Sequence, residues 1–221
     1  GAGEVMTSGS CNVIIGKDAM GHCDTTGVNN VAIGCMAGRR VTSGNNNTFL
    51  GQYAGGNLTT GCSNFIAGLS AAGSGTLTGI HNILLGDCSG KVLTSGTNNI
   101  FLGRTTGRCV SSTSNNVHIG NLAGRWSEGG YNIFFGRCAG YGNGSTRNSS
   151  ANIFIGEDAG HCIDTACYNI GLGENAGKNL TSGDCNTLLG HRAGCNLTSG
   201  CSNVVIGRAV QPPILTGSSQ L

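Results

Sequence analysis

Asn152-Ile-Phe-Ile-Gly-Glu-Asp-Ala-Gly160 is one instance of a unit that recurs along almost the whole chain. The same frame reads NVAIGCMAG at 30–38, NTFLGQYAG at 47–55, NVHIGNLAG at 116–124 and NIGLGENAG at 169–177. Its first position is Asn12, Asn30, Asn47, Asn64, Asn82, Asn99, Asn116, Asn132, Asn152, Asn169, Asn186 and Asn203, without exception. Four residues after each comes a glycine, from Gly16 to Gly207, at spacings of 18, 17, 17, 18, 17, 17, 16, 20, 17, 17 and 17. After the unit runs a polar stretch that often ends Leu-Thr-Ser-Gly, as in Leu180–Gly183 and Leu197–Gly200.

A fixed period of 17 is too short for a helix-pair repeat and suits one coil of a β-solenoid. The fold class expected is therefore all-β: a parallel β-solenoid, or β-roll, of about twelve 17-residue coils. Each coil is expected to hold two short strands and two tight corners. The first strand is Asn and the three residues after it. Positions one and three after Asn are nearly always apolar (Val13 and Ile15, Ile133 and Phe135, Val204 and Ile206), whereas the one between varies (Ala32, Phe49, His118, Gly171). Alternate strand residues share a face, so the apolar pair is expected inward and the variable residue outward. The glycine after the strand marks a corner that needs positive φ or close coil-to-coil approach. Ala-Gly marks a second corner with a small inward residue, and Leu-Thr-Ser-Gly reads as a second strand with Leu inward. Stacked coils place each Asn on the next, a hydrogen-bonded ladder of the kind found in cross-β stacks.

By segment, residues 1–10 lead in, 11–210 are the repeat domain, and 211–221 lead out. Gln211-Pro212-Pro213 breaks the pattern, yet Gln220 falls 17 residues after Asn203, where the next Asn is due. The expectation is a chain that stops inside a thirteenth coil of a longer fibre. The coil from Asn132 is the longest, with an insertion around Tyr141–Ser150; insertions in solenoids become loops on one face.

Composition narrows the function classes. Of 221 residues, 10% are charged and the net charge is +2, which gives no basic field for nucleic acid. Glycine numbers 41 and proline 2, which is neither collagen nor a proline-rich linker. No apolar run approaches a membrane span.

The unit at 30–38 and 152–160, with Thr42–Gly55 and Thr94–Gly107, resembles the repeats of phage and bacterial tail-fibre proteins, related to the head repeats of trimeric autotransporter adhesins. The resemblance runs from about Cys11 to Gly207. It implies a homotrimer of parallel β-rolls whose task is attachment to a host or surface. The cysteines and the longer coil depart from the adhesin pattern.

Twelve cysteines point to secretion with disulfides, against buried thiols as the plainer reading. Equivalent positions in adjacent coils lie about 5 Å apart, within disulfide reach. Candidate pairings are Cys185 with Cys201, Cys167 with Cys185, or Cys162 with Cys167. No Cys-x-x-Cys occurs, so neither a metal nor a cofactor is expected. The histidines share no column and no nucleophilic triad can be built, so no catalytic residue is expected. Glu128, Glu157, Asp158 and Glu174 sit at varied, mostly corner positions, which gives no carboxylate cluster for an enzyme on a β-helix. The aromatics beside the long coil, Trp126 and Tyr141, are the candidate glycan contacts, with packing between coils or protomers as the plainer reading.

The function expected is a structural fibre or adhesin segment, extracellular, on a cell surface or on a virion, that attaches to a host glycan or receptor. It is expected to be a homo-oligomer, with no nucleic acid and no membrane span. Two alternatives are a self-polymerising filament extended through open β-edges and an ice-binding solenoid. The last draws on a recurring Thr or Ser (Thr42, Thr59, Thr76, Thr94, Ser111, Thr181, Thr198), a column that turn preference also explains.

Overall fold

The computed structural model describes residues 1–142 and 148–220, and the chain is an all-β parallel solenoid. It comprises two compact units, Gly1–Ser114 and Asn115–Leu221. The first carries β1 (Val13–Ile15), β2 (Val31–Ile33), β3 (Thr48–Leu50), β4 (Phe65–Ala67), β5 (Ile83–Leu85) and β6 (Ile100–Leu102). The second carries β7 (Val117–Ile119), β8 (Ile133–Phe135), β9 (Ile153–Ile155), β10 (Ile170–Leu172), β11 (Thr187–Leu189) and β12 (Val204–Ile206). Within each unit consecutive strands pair in parallel with equivalent residues opposed, as in Ile66↔Leu84 and Phe134↔Phe154.

Each coil contributes one strand, not two. The Leu-Thr-Ser-Gly segment turns its leucine inward as expected, with Leu58, Leu93, Leu180 and Leu197 wholly buried. Its backbone, however, forms bends and not a ladder: Thr42 N–H and Gly44 N–H both donate to Thr59 O, and Thr181 N–H and Ser182 N–H both donate to Thr198 O. Two amides converging on one carbonyl cannot alternate as strand bonds do.

The inside and outside of the strand are the reverse of the sequence expectation. The middle residue points inward: Ala32, Phe49, Ile66, Leu84, Phe101, His118, Phe134, Phe154 and Leu188 have no exposed surface. The flanking apolar pair points outward. The asparagine side chain explains the parity. Asn and the middle residue are two apart and share a face, and the amide must be buried for its ladder to form.

That ladder is continuous within each unit. Asn47 N–H and Nδ2 donate to Asn30 Oδ1 at 2.9 and 3.1 Å, and Asn64 N–H and Nδ2 donate to Asn47 Oδ1 at 3.0 Å each. The second Nδ2 hydrogen of Asn47 crosses its own coil to Gly61 O at 2.8 Å. Asn47, Asn64, Asn82, Asn152, Asn169 and Asn186 thereby use both donors and both acceptor sites of the amide. The 20-residue step from Asn132 leaves it intact, because Asn152 N–H still reaches Asn132 Oδ1 at 3.0 Å. Of the insertion that lengthens this coil, residues 143–147 lie outside the described residues.

Left-handed backbone bounds every strand. The residue before each Asn has φ between 56° and 63° among the repeats, and the residue two after the corner glycine is also left-handed, as at Asp18, Tyr53 and Arg192. The corner glycine meets both demands read from the sequence. Gly34 has φ of 136°, and a Cβ there would stand 2.5 Å from Gly51 O of the next coil. The interior is one side chain wide, so bulk is traded between coils: a Cβ on Gly171 would lie 2.4 Å from the Phe154 ring.

Two outcomes follow from this packing. Asn82→Ala strips partners from Asn99 N–H, Asn99 Nδ2 and Gly96 O, all buried, and is expected to cost about 3 kcal/mol or more in denaturant unfolding. A loss below about 1 kcal/mol would mean that the ladder is dispensable.

His118 is wholly buried and stacks on Phe134, with ring centroids 4.8 Å apart. Burial lowers its pKa to about 3. The unfolded chain, near 6.5, takes up a proton that the folded one refuses, so stability falls as pH drops below about 6.5 and the loss is complete near the folded value. Phe134 and Phe154 hold the equivalent strand position in the next two coils of the same unit, so a phenylalanine ring suits the repeat at His118→Phe. Unfolding measured between pH 7 and about 5 should show wild type losing roughly 2 kcal/mol more than His118→Phe; equal slopes would contradict the assignment.

Candidate functional site

The outward strand positions make two parallel rows of apolar side chains on each unit. On the first, Val13, Ile15, Ile33, Phe65 and Ile83 are exposed; on the second, Ile133, Phe135, Ile155, Ile170, Leu172 and Ile206 are. Ile15 is 57% exposed and Ile206 64%. No outward strand position of β1–β12 carries a charge; Thr48, Ala67 and Thr187 are the mildest departures from large apolar residues. Isolated surface leucines need no explanation, but apolar residues recurring at nearly every outward position of a regular sheet form a larger patch than scattered exposure does.

A second, chemically different region lies on the second unit, where successive coils stack polar side chains. Arg125, Tyr141 and His161 occupy one column, five residues after their corner glycines. The Arg125 guanidinium carbon is 5.8 Å from the Tyr141 ring centre, and the His161 ring stacks on Tyr141 at 4.9 Å and 6°. Arg125 also lies 5.5 Å from the Trp126 ring. Tyr141 thus has ring neighbours in both adjacent coils, which leaves little face for a sugar. The open aromatic rings are Tyr131 and Tyr168, each 68% exposed, at left-handed positions just before Asn132 and Asn169.

Beside this column the Cys138 thiol, the Asp158 carboxylate and a His161 ring nitrogen all lie within 4.8 Å of one another. Cys138 is buried, and burial pushes its thiol pKa up. Burial lowers the His161 pKa and raises that of Cys162, whose Sγ is 3.7 Å from His161 Nδ1. Neither thiol is therefore an activated nucleophile. The carboxylates here are largely engaged: Arg137 pairs with Glu157, Lys178 Nζ is 3.2 Å from Asp158, and His191 is 3.9 Å from Glu174. A polar groove of about 380 Å³ continues past Lys178 and Asn179 to His191 and Arg192.

The cluster was missed because no local motif links its members. The available signal was register: Cys138 and Asp158 both stand two residues after a corner glycine, in adjacent coils.

The expected disulfides are not formed; all twelve cysteines are free thiols. Cys167 and Cys201 share a column but are two coils apart, and Asp184 stands between them, its carboxylate accepting from Cys167 N–H at 2.7 Å. Cys185 is one residue out of that column, at a left-handed position. Cys162 precedes the inward Ile163 and is turned to His161, whereas Cys167 follows the inward Ala166 and is turned to Thr165 O.

The Thr column belongs to the turns. Thr42, Thr94 and Thr181 direct their hydroxyls to carbonyls of the next coil at 2.8–3.2 Å. Among the described residues no helix is long and apolar enough to cross a membrane. Comparison with protein-family models, curated proteins and solved structures finds no match to this chain.

Proposed function

We propose that this chain is a structural segment of an oligomeric extracellular fibre or adhesin, on a virion or a cell surface, that serves attachment to a host or surface. The observation that carries this reading is the uncharged apolar double row on the outer face of the strands. Leaving such a face in water is costly, at roughly 25 cal/mol per Å² of apolar surface. The occupant that matches it best is a second copy of the chain. Rows that repeat once per coil are complementary to a surface of the same pitch, and another copy has that pitch by construction. Contacts made rung by rung also suit a load-bearing shaft. The three-fold stoichiometry comes from the resemblance to trimeric adhesin and tail-fibre repeats.

Attachment itself would fall to side chains that break the regularity, among which the exposed Tyr131 and Tyr168 are the best placed for carbohydrate stacking. A filament grown by end-to-end stacking is the second reading.

Light scattering on the purified chain tests the proposal. A species of three times 22.2 kDa is expected, with Ile83→Lys and Ile133→Lys shifting the mass towards one subunit. A wild-type monomer at micromolar concentration would refute self-association. Open-ended growth would favour the filament.

A further inference from the structure

We propose that Cys138, Asp158 and His161 form a binding site for a borderline-soft divalent cation of the zinc class. Three chemically distinct donors, a thiol sulfur, a carboxylate oxygen and an imidazole nitrogen, already lie within 4.8 Å of one another. In a tetrahedral zinc site neighbouring ligand atoms are about 3.3–3.7 Å apart. Rotamer adjustment of about 1 Å closes the difference without backbone movement.

The backbone beneath the donors is fixed by coil-to-coil bonds. Asp158 N–H donates to Arg137 O at 2.9 Å, and Gly142 N–H to His161 O at 3.1 Å. Asp158 and His161 are three residues apart on one turn, which His161 N–H closes by donating to Asp158 O at 3.3 Å. Stacking on Tyr141 sets the plane of the imidazole. Water completes the tetrahedron, because Cys162 is not among the donors that lie within 4.8 Å of one another.

The surrounding charges decide what this site is not. Lys178 pairs with Asp158 and Arg137 with Glu157, so there is no excess of negative charge to attract calcium or magnesium. Those ions want six or more oxygen ligands. A sulfur and an imidazole nitrogen select zinc, cobalt or copper. Binding draws one Asp158 oxygen to the metal while Lys178 keeps the other, and Cys138 binds as thiolate, its proton passing to solvent.

The test is a cobalt(II) titration of the full chain in reductant, followed by absorbance. A thiolate-to-cobalt charge-transfer band with intense tetrahedral d–d bands is expected, saturating at one equivalent, displaced by zinc and insensitive to calcium. Cys138→Ser and His161→Ala should each weaken binding about tenfold or more, whereas Cys88→Ser should not change it. Circular dichroism confirms that the variants keep the solenoid; if Cys138→Ser does not fold, the more exposed His161→Ala decides. Absence of the bands, bands unchanged in His161→Ala, or equal loss in Cys88→Ser would each overturn the proposal.

Discussion

The asparagine amide is the constraint on which the solenoid depends. It is short, neutral and double-ended, with two donors and two acceptor sites, and the ladder uses all four at Asn47, Asn64, Asn82, Asn152, Asn169 and Asn186. Aspartate would lose the donors and bury a charge. Glutamine is too long: at Gln220 the backbone follows the ladder, but the side chain folds back to Ile214 N–H and Ile214 O. Each amide joins its coil to the one before and also spans its own coil. It therefore fixes both the pitch and the closure of the turn. That closure is what holds residues such as Tyr53 and Arg192 in left-handed conformations, each of which costs about 1 kcal/mol or more in isolation.

A coil so tightly closed has room for little else. Its interior takes one strand side chain, a small residue from the Ala-Gly corner and one leucine-like residue from the bend. The remaining apolar residues of the strand must then face outward. The same geometry that makes the core dry and narrow makes the outer sheet face apolar. It also explains the tolerance for His118 in a column otherwise filled by apolar residues: its ring fits where phenylalanine fits elsewhere, at the cost of holding the imidazole neutral.

Chemistry gathers where two variable columns run side by side. Between Arg125 and Lys178 one holds Tyr141 and His161, five residues after their corner glycines, and the other Cys138 and Asp158, two residues after theirs. Stacking turns residues 20 apart into neighbours, so a donor set can arise with no compact motif. The constant positions build the solenoid, and the variable ones are free to bring unlike side chains together.

The sequence by itself determined the period, the parallel stacking, the Asn ladder, the glycine corners and the inward leucines, because each depends only on residue type recurring at a fixed interval. It determined that Val13 and Ile15 share a face opposite Ile14, but not which face is inside. Hydrophobicity argued for the pair; the buried amide of Asn12 and its successors, on the same parity as the middle residue, decided against it. The tertiary structure alone decided that the Leu-Thr-Ser-Gly segment bends instead of pairing as a strand. It alone showed that the twelve thiols are free and that Cys138, Asp158 and His161 converge. Those outcomes turn on the exact direction of side chains around a corner, which a period of 17 leaves unspecified.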